Sequence, residues 1–199
     1  MLIEIEGVDG VGKTTQSHLL KSWIRKEKGK KAIVVKDIDS TKVGRSMSKI
    51  IRNTKMPPMV ELFFFLACKS ELHSRVIKPF ISKGGVVICD RGIGSFISYF
   101  EAQGFKREFL FKIVALATNN MKPIITLLLD VPINEAVIRN TKKENQSIFD
   151  KMGESFLKLQ REIFLNLSQS KSWITVEGSK TIKETHLIIR RSLSKELLI

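Results

Sequence analysis

Short apolar runs alternate with amphipathic stretches along the whole chain. Met1-Leu2-Ile3-Glu4-Ile5 reads as a strand rich in β-branched residues, and after Thr15 the residues Leu19, Leu20, Trp23 and Ile24 recur at helical spacing. Ala32–Lys36 reads as a second strand and Thr41–Arg52 as a helix. Val60–Ser82 reads as one long apolar helix with Pro79 near its end, broken by Gly84-Gly85. Val86–Cys89 is a buried strand ending at Asp90, followed by helical patterns over Ser95–Ala102 and Arg107–Asn119. Pro123 introduces a strand over Ile124–Leu129 that ends at Asp130, and Pro132 suits the first turn of a helix running to about Arg139. Asn140–Lys151 is polar, basic and poorly periodic. Glu154–Leu167 reads as a helix, Trp173–Val176 as a strand and Thr181–Leu197 as a final helix.

Continuous apolar strands separated by helices predict an α/β fold: a three-layer, doubly wound parallel sheet of five strands. Ligands of such sheets sit beyond the carboxyl ends of the strands. That edge should therefore collect Gly7–Thr14, Lys36–Thr41, Asp90–Ser95 and Asp130.

The first of these segments, GVDGVGKTT from Gly7 to Thr15, follows a strand and opens a helix, the context in which G-x-x-x-x-G-K-[ST] is a phosphate loop. Gly7, Gly10 and Gly12 let the backbone turn sharply, so that the amides from Gly7 through Val8, Asp9, Gly10, Val11 and Gly12 to Lys13, Thr14 and Thr15 can cradle anionic oxygens. Lys13 can reach the outer phosphates of a nucleotide, and Thr14 can hold Mg²⁺. The second informative segment is VVICDRG at Val86. Asp90, ending a buried strand beside the loop, is a second candidate for the metal. Arg91 adds a planar, permanently charged fork suited to a phosphate.

At 199 residues and 43% apolar content the chain is most simply a single domain, 1–199, with a sizeable core. No apolar run is long enough to span a bilayer, and the start reads as a core strand, not as a signal peptide. Cys68 and Cys89 lack C-x-x-C spacing and read as buried thiols of a cytoplasmic protein. The formal net charge is +14, with Arg25, Lys26, Lys28, Lys30 and Lys31 concentrated around a helix end at Gly29. Cations suit a helix C-terminus, so this cluster reads as a solvated end and no nucleic-acid partner is expected.

From these residues the chain is identified as resembling the thymidylate kinases, within the P-loop nucleoside monophosphate kinases. The resemblance covers nearly the whole length: IEGVDGVGKTTQ, the ELFFFLACKSEL helix leading to VIKPFI, ICDRGIGSFISY, ITLLLDVPINEAVIR and ESFLKLQREIF. It implies a P-loop NTPase-type fold and transfer of the γ-phosphoryl of ATP to dTMP, with Mg²⁺ as cofactor. It also implies a homodimer and a mobile lid at about 140–152. Asp9 matches the carboxylate that receives the sugar 3′-hydroxyl and lies near the transferring phosphoryl. Phe65 matches the ring that stacks on thymine, Arg91 the clamp on the acceptor phosphate, and Tyr99 the ring beside the deoxyribose. Lys13 and Arg91 with Asp9 would be the catalytic set.

Some positions depart from the family pattern. Lys69 stands where the family usually has an arginine contacting the base, and Phe96 where a polar side chain often reads it. Lys36-Asp37-Ile38-Asp39 replaces Arg-Glu-Pro-Gly, and Gly92 replaces an aromatic. The lid segment NTKKENQSIFDK carries no arginine, so Lys142, Lys143 or the preceding Arg139 would supply its cation, with Arg161 the next candidate. A kinase of the same group acting on another nucleotide, and a P-loop ATPase using Asp90 or Asp130, are the alternatives left open by the residues.

Overall fold

Each predicted strand forms, and all five lie parallel in one sheet. In the computed structural model, which describes residues 1–141 and 152–197, the strands are β1 (Leu2–Glu6), β2 (Ala32–Lys36), β3 (Val86–Asp90), β4 (Ile125–Asp130) and β5 (Trp173–Glu177). Their order is β2-β3-β1-β4-β5, with β1 in the centre. Leu2 pairs with Val87 on one side, and Ile3 with Ile125 on the other. The lid expected at about 140–152 falls almost wholly outside the described residues, and Lys142 and Lys143 with it.

Alternation along β1 separates two layers of helix. Ile3 and Ile5 pack with Leu20, Trp23 and Ile24 of α1 (Lys13–Glu27) and with Ile189 and Leu193 of α9 (Ile182–Leu197). The opposite face carries α3 (Pro58–Leu72), α5 (Ile93–Glu101), α6 (Arg107–Ala117) and α8 (Gly153–Leu167), joined through Leu62, Phe96, Ile97, Phe100, Leu110, Val114, Ile163 and Leu167. Two further helices border the carboxyl edge: α2 (Lys42–Asn53) after β2 and α7 (Ile133–Thr141) after β4. Among the described residues no helix is long and apolar enough to cross a membrane.

Helix ends follow local chemistry. Thr41 Oγ1 accepts the Gly44 N–H at 2.8 Å, capping α2. Thr181 and Glu184 form a reciprocal capping box at the start of α9. Gly29, at φ +64°, ends α1 as expected, with the Lys30 N–H donating to Ile24 O.

The long helix predicted over Val60–Ser82 is the main difference. It starts two residues earlier, with Pro58 at the first-turn position, and is interrupted by a π-helical turn at His73–Ile77 before α4 (Lys78–Ser82). Pro79 has no N–H to give and its ring crowds the preceding turn, so the helix widens and Lys78 N–H donates to His73 O.

The phosphate loop is packed between strand and helix backbones. A Cβ on Gly10, at φ +88°, would lie 2.2 Å from Ala136 O of α7, and one on Gly7 would lie 2.5 Å from Leu129 O of β4. Gly12, at φ +95°, has nothing within 4 Å of that position. Gly10→Ala should therefore combine backbone strain with a steric clash, while Gly12→Ala carries strain alone. By urea denaturation Gly12→Ala should lose about 1–2 kcal/mol, and Gly10→Ala about 1–3 kcal/mol more. Equal losses would mean that the α7 contact does not constrain the loop.

Candidate functional site

β1 delivers the chain into the loop at Glu6, and α1 begins at Lys13. Lys13 is buried; its Nζ donates to Gly7 O at 2.8 Å and Val8 O at 2.6 Å and lies 4.0 Å from Asp9 Oδ1. Burial, with Arg91 nearby, lowers its pKa to about 7. A cation so poorly solvated gains from any approaching anion. Val8 and Val11 are themselves core residues, 3% exposed, whose side chains pin the loop.

Asp90 ends β3 beside α1, and Thr14 Oγ1 donates to its Oδ2 at 2.5 Å. Two hard oxygen ligands thus converge next to the loop, a donor set that fits Mg²⁺. Asp130, the other strand-ending aspartate, is engaged otherwise: Arg161 of α8 grips it bidentately at 2.7 and 2.8 Å. Arg161, the next candidate for the lid cation, is thus paired with Asp130. Arg139 lines the main cavity, with hydrogen bonds to Glu135 and to Gly178 O.

Arg91 adopts φ +74°, a left-handed conformation unusual for a side chain of this size. Its guanidinium pairs closely with Asp9 Oδ1 and reaches Ser95 Oγ at 3.4 Å. The strained turn is fixed from below by groups that the sequence pattern did not single out. Glu6 accepts hydrogen bonds from Gly92 N and Ser95 N, both at 2.9 Å, and from Ser95 Oγ. Glu4 accepts from Ile93 N at 3.1 Å. Both glutamates are buried in β1. Two acidic residues at alternate positions of a β-branched strand were the signal available in the sequence.

Lys69 joins the same frame. Its ammonium is fully buried, bonded to Asp37 Oδ1 at 2.7 Å and to Gly92 O at 2.9 Å, and it does not line the main cavity. Lys69 therefore stands behind the wall of the pocket and ties the segment after β2 to the Arg91 turn. Gly92 has a local reason as well: a Cβ there would fall 2.1 Å from Glu4 Cδ. The carboxylate of Glu4 fills the space that an aromatic at this position would need.

Among Phe63, Phe64 and Phe65, only Phe65 lines the cavity. Phe63 is exposed, and Phe64 packs on Ile38, Ile51 and Cys68. Phe65 stacks on Tyr99 with centroids 5.7 Å apart and meets Phe100 edge-on at 5.4 Å. Tyr99 Oη donates to Glu61 Oε1 at 2.9 Å. Phe96 is almost fully buried beside them. The cavity, about 560 Å³, runs from Asp9, Lys13, Thr14 and Thr15 past Asp90 and Arg91 to Phe65, Phe96 and Tyr99. Lys36, Arg52 and Arg139 add positive charge to its walls. One end can hold phosphates and the other an aromatic ring. Burial pushes the Cys68 thiol up to about 11, so it is no nucleophile at neutral pH.

The buried carboxylates predict a pH dependence. Burial, with Glu6 adjacent, raises Glu4 from an ordinary carboxylate value to about 8. The unfolded chain releases this proton near pH 4.5 and the folded chain holds it until about pH 8, so stability falls across that window. Glu4→Gln keeps the shape and removes the titration. Urea denaturation at several pH values should show the fall reduced by a few kcal/mol, on the order of one pKa unit per 1.4 kcal/mol. An unchanged slope would locate the titration elsewhere.

Comparison with known proteins adds a sequence-wide result. The thymidylate kinase family profile matches residues 5–189. A thymidylate kinase from Thermosipho melanesiensis is 34% identical over 199 residues, covering 99% of each chain. A probable thymidylate kinase from Pyrococcus abyssi is 34% identical over 98% of this chain and 97% of its own. A thymidylate kinase from Fervidobacterium nodosum is 32% identical over 94% of each.

Proposed function

The chain belongs to the thymidylate kinase family, and from that membership we propose that it transfers the γ-phosphoryl of ATP to dTMP, giving dTDP and ADP. The observation that carries this reading is one cavity joining the Lys13 loop, the Thr14–Asp90 pair, Arg91 and the Phe65–Tyr99 stack. Phosphoryl transfer asks a protein for positioning and charge neutralisation more than for covalent help. The loop amides and Lys13 hold the donor phosphates. Arg91, steadied by Asp9 and Ser95, holds the acceptor phosphate so that its oxygen meets the γ-phosphorus in line. The new P–O bond forms as the bond to the bridging oxygen of ADP breaks. Asp9 faces the sugar hydroxyl, Phe65 stacks on the base, and Tyr99 packs against the deoxyribose. Thr14 and Asp90 would hold Mg²⁺, which when bound neutralises charge on the donor oxygens. Arg139 is the lid-side cation that lines the cavity.

The chain acts as a single kinase domain on ATP and dTMP and not on nucleic acid; Lys13, Lys36, Arg52, Arg91 and Arg139 converge on one cavity suited to small polyanions. We also infer a homodimer. Val43 and Ile50 of α2, Met59, Val60 and Phe63 of α3, and Phe109, Phe111 and Leu116 of α6 expose apolar surface on neighbouring helices. A cytoplasmic location accords with two buried cysteines that form no disulfide.

An ADP-release assay with ATP, Mg²⁺ and each nucleoside monophosphate in turn tests the reading. dTMP should be the best acceptor, with slow ATP turnover in its absence. Another preferred acceptor, or acceptor-independent hydrolysis, would overturn it. Lys13→Ala should lower kcat by about 10²-fold or more, with the melting temperature little changed. Arg91→Ala should raise KM for dTMP by at least ~10-fold more than KM for ATP, as loss of a charged hydrogen-bonding partner predicts. Equal effects on the two substrates would move Arg91 to the donor side.

A further inference from the structure

We propose that Glu61 is a positioning residue for sugar recognition: by holding the Tyr99 hydroxyl it fixes the ring against which the acceptor sugar packs, so that a deoxyribonucleotide is accepted in preference to its ribonucleotide. This role rests on the reading of the cavity as an acceptor site for dTMP. Phe65, Tyr99 and Phe156 line that cavity, and Glu61 stands behind them.

α3 grips Tyr99 at two points. Glu61 and Phe65 lie four residues apart, on one face of the helix. Phe65 stacks on the Tyr99 ring, with the planes 27° apart, and Glu61 Oε1 accepts the hydroxyl at 2.9 Å. Phe100 and Phe156 meet the ring edge-on, with centroids 5.0 and 5.7 Å away. Ring-to-ring contacts tolerate a wide range of offsets, so by themselves they let a ring slide or tilt. A hydrogen bond weakens steeply with distance and angle, so Glu61 is the contact that fixes the tip of Tyr99. Glu61 is 6% exposed, and water is a poor substitute for it there. Burial and the adjacent carboxylate raise the Tyr99 pKa well above its ordinary value, so the hydroxyl keeps the proton that it donates. The sugars of dTMP and of its ribonucleotide differ by one 2′-hydroxyl. A ring free to shift makes room for that oxygen. A ring held at its face, its edges and its tip does not, and a hydroxyl pressed against it loses its hydrogen bonds to water.

The test is the ratio of kcat/KM for a deoxyribonucleotide to that for its ribonucleotide, measured with thymine and, if another base is preferred, with that base on both sugars. In the wild type the ratio should be on the order of 10², as for other sites that reject one added hydroxyl. Glu61→Ala should lower it about tenfold, the effect of losing a charged hydrogen-bond partner. Tyr99→Phe, which keeps the ring, should lower it comparably and keeps the test decisive if the Glu61 variant does not fold. Both changes together should lower it no further than either alone. Glu61→Gln retains an acceptor oxygen and should restore most of the ratio. Tyr99 is the only tyrosine of the chain, so protein isotope-labelled at tyrosine Cζ gives one NMR signal. That signal should move in Glu61→Ala and return toward its original position in Glu61→Gln. A preferred base other than thymine would overturn the dTMP reading alone. The role of Glu61 is overturned by a wild type that accepts no nucleotide or treats both sugars alike, by an unchanged ratio in the folded variants, by additive losses in the double variant, by no recovery in Glu61→Gln, or by an NMR signal that stays in place.

Discussion

The carboxylate of Glu6 holds the two halves of the site together. It sits at the last position of the central strand, one residue before the phosphate loop, and accepts three hydrogen bonds from the segment after β3. Because Glu6 is buried, those bonds are made in a medium where an unpaired carboxylate would be costly. The turn carrying Arg91 is thereby fixed to the strand that carries the loop. Arg91 can then keep a left-handed backbone that its side chain would otherwise disfavour.

Around Glu6 lies a buried group of ionisable side chains. Glu4, Glu6 and Asp37 surround the single ammonium of Lys69. Burial raises all three carboxyls and opposes the charge on Lys69, but Asp37, Glu4 and Glu6 together outweigh it and keep Lys69 charged. Such networks are weak sources of stability but strong sources of geometry, because each group is costly in any other place. Here the geometry is that of the turn that carries Arg91. Lys69 joins the segment after β2 to Gly92, and Glu4 occupies the space that a side chain at position 92 would need. Three departures from the family pattern, at 37, 69 and 92, are thus one connected arrangement.

The aromatic end of the cavity is built on different physics. Phe65, Tyr99 and Phe100 fix one another by stacked and edge-on contacts, and Tyr99 satisfies its hydroxyl on Glu61. With Lys69 behind the wall and Phe96 buried beside the rings, this end offers shape and aromatic faces rather than charge. The other end offers charged side chains. The two ends meet at Asp9 and Arg91.

The sequence by itself determined the five strands, their parallel arrangement and the phosphate loop, because strong local patterns specify these: apolar runs, glycines with positive φ, a lysine and a hydroxyl at a helix start. It also separated Lys13, Thr14, Asp90 and Arg91 from the background, since each sits at a strand end or a helix start. Only the tertiary structure told the two strand-ending aspartates apart. Asp90 meets Thr14, while Asp130 is held by Arg161 from a helix 31 residues away in sequence. Only the tertiary structure decided among Phe63, Phe64 and Phe65, because helical spacing cannot say which face of α3 borders the cavity. The same holds for Lys69, Glu4 and Glu6. A buried ion pair or a carboxylate capping a distant turn leaves no periodic trace, because its partners come from separate strands and meet only when the sheet is assembled.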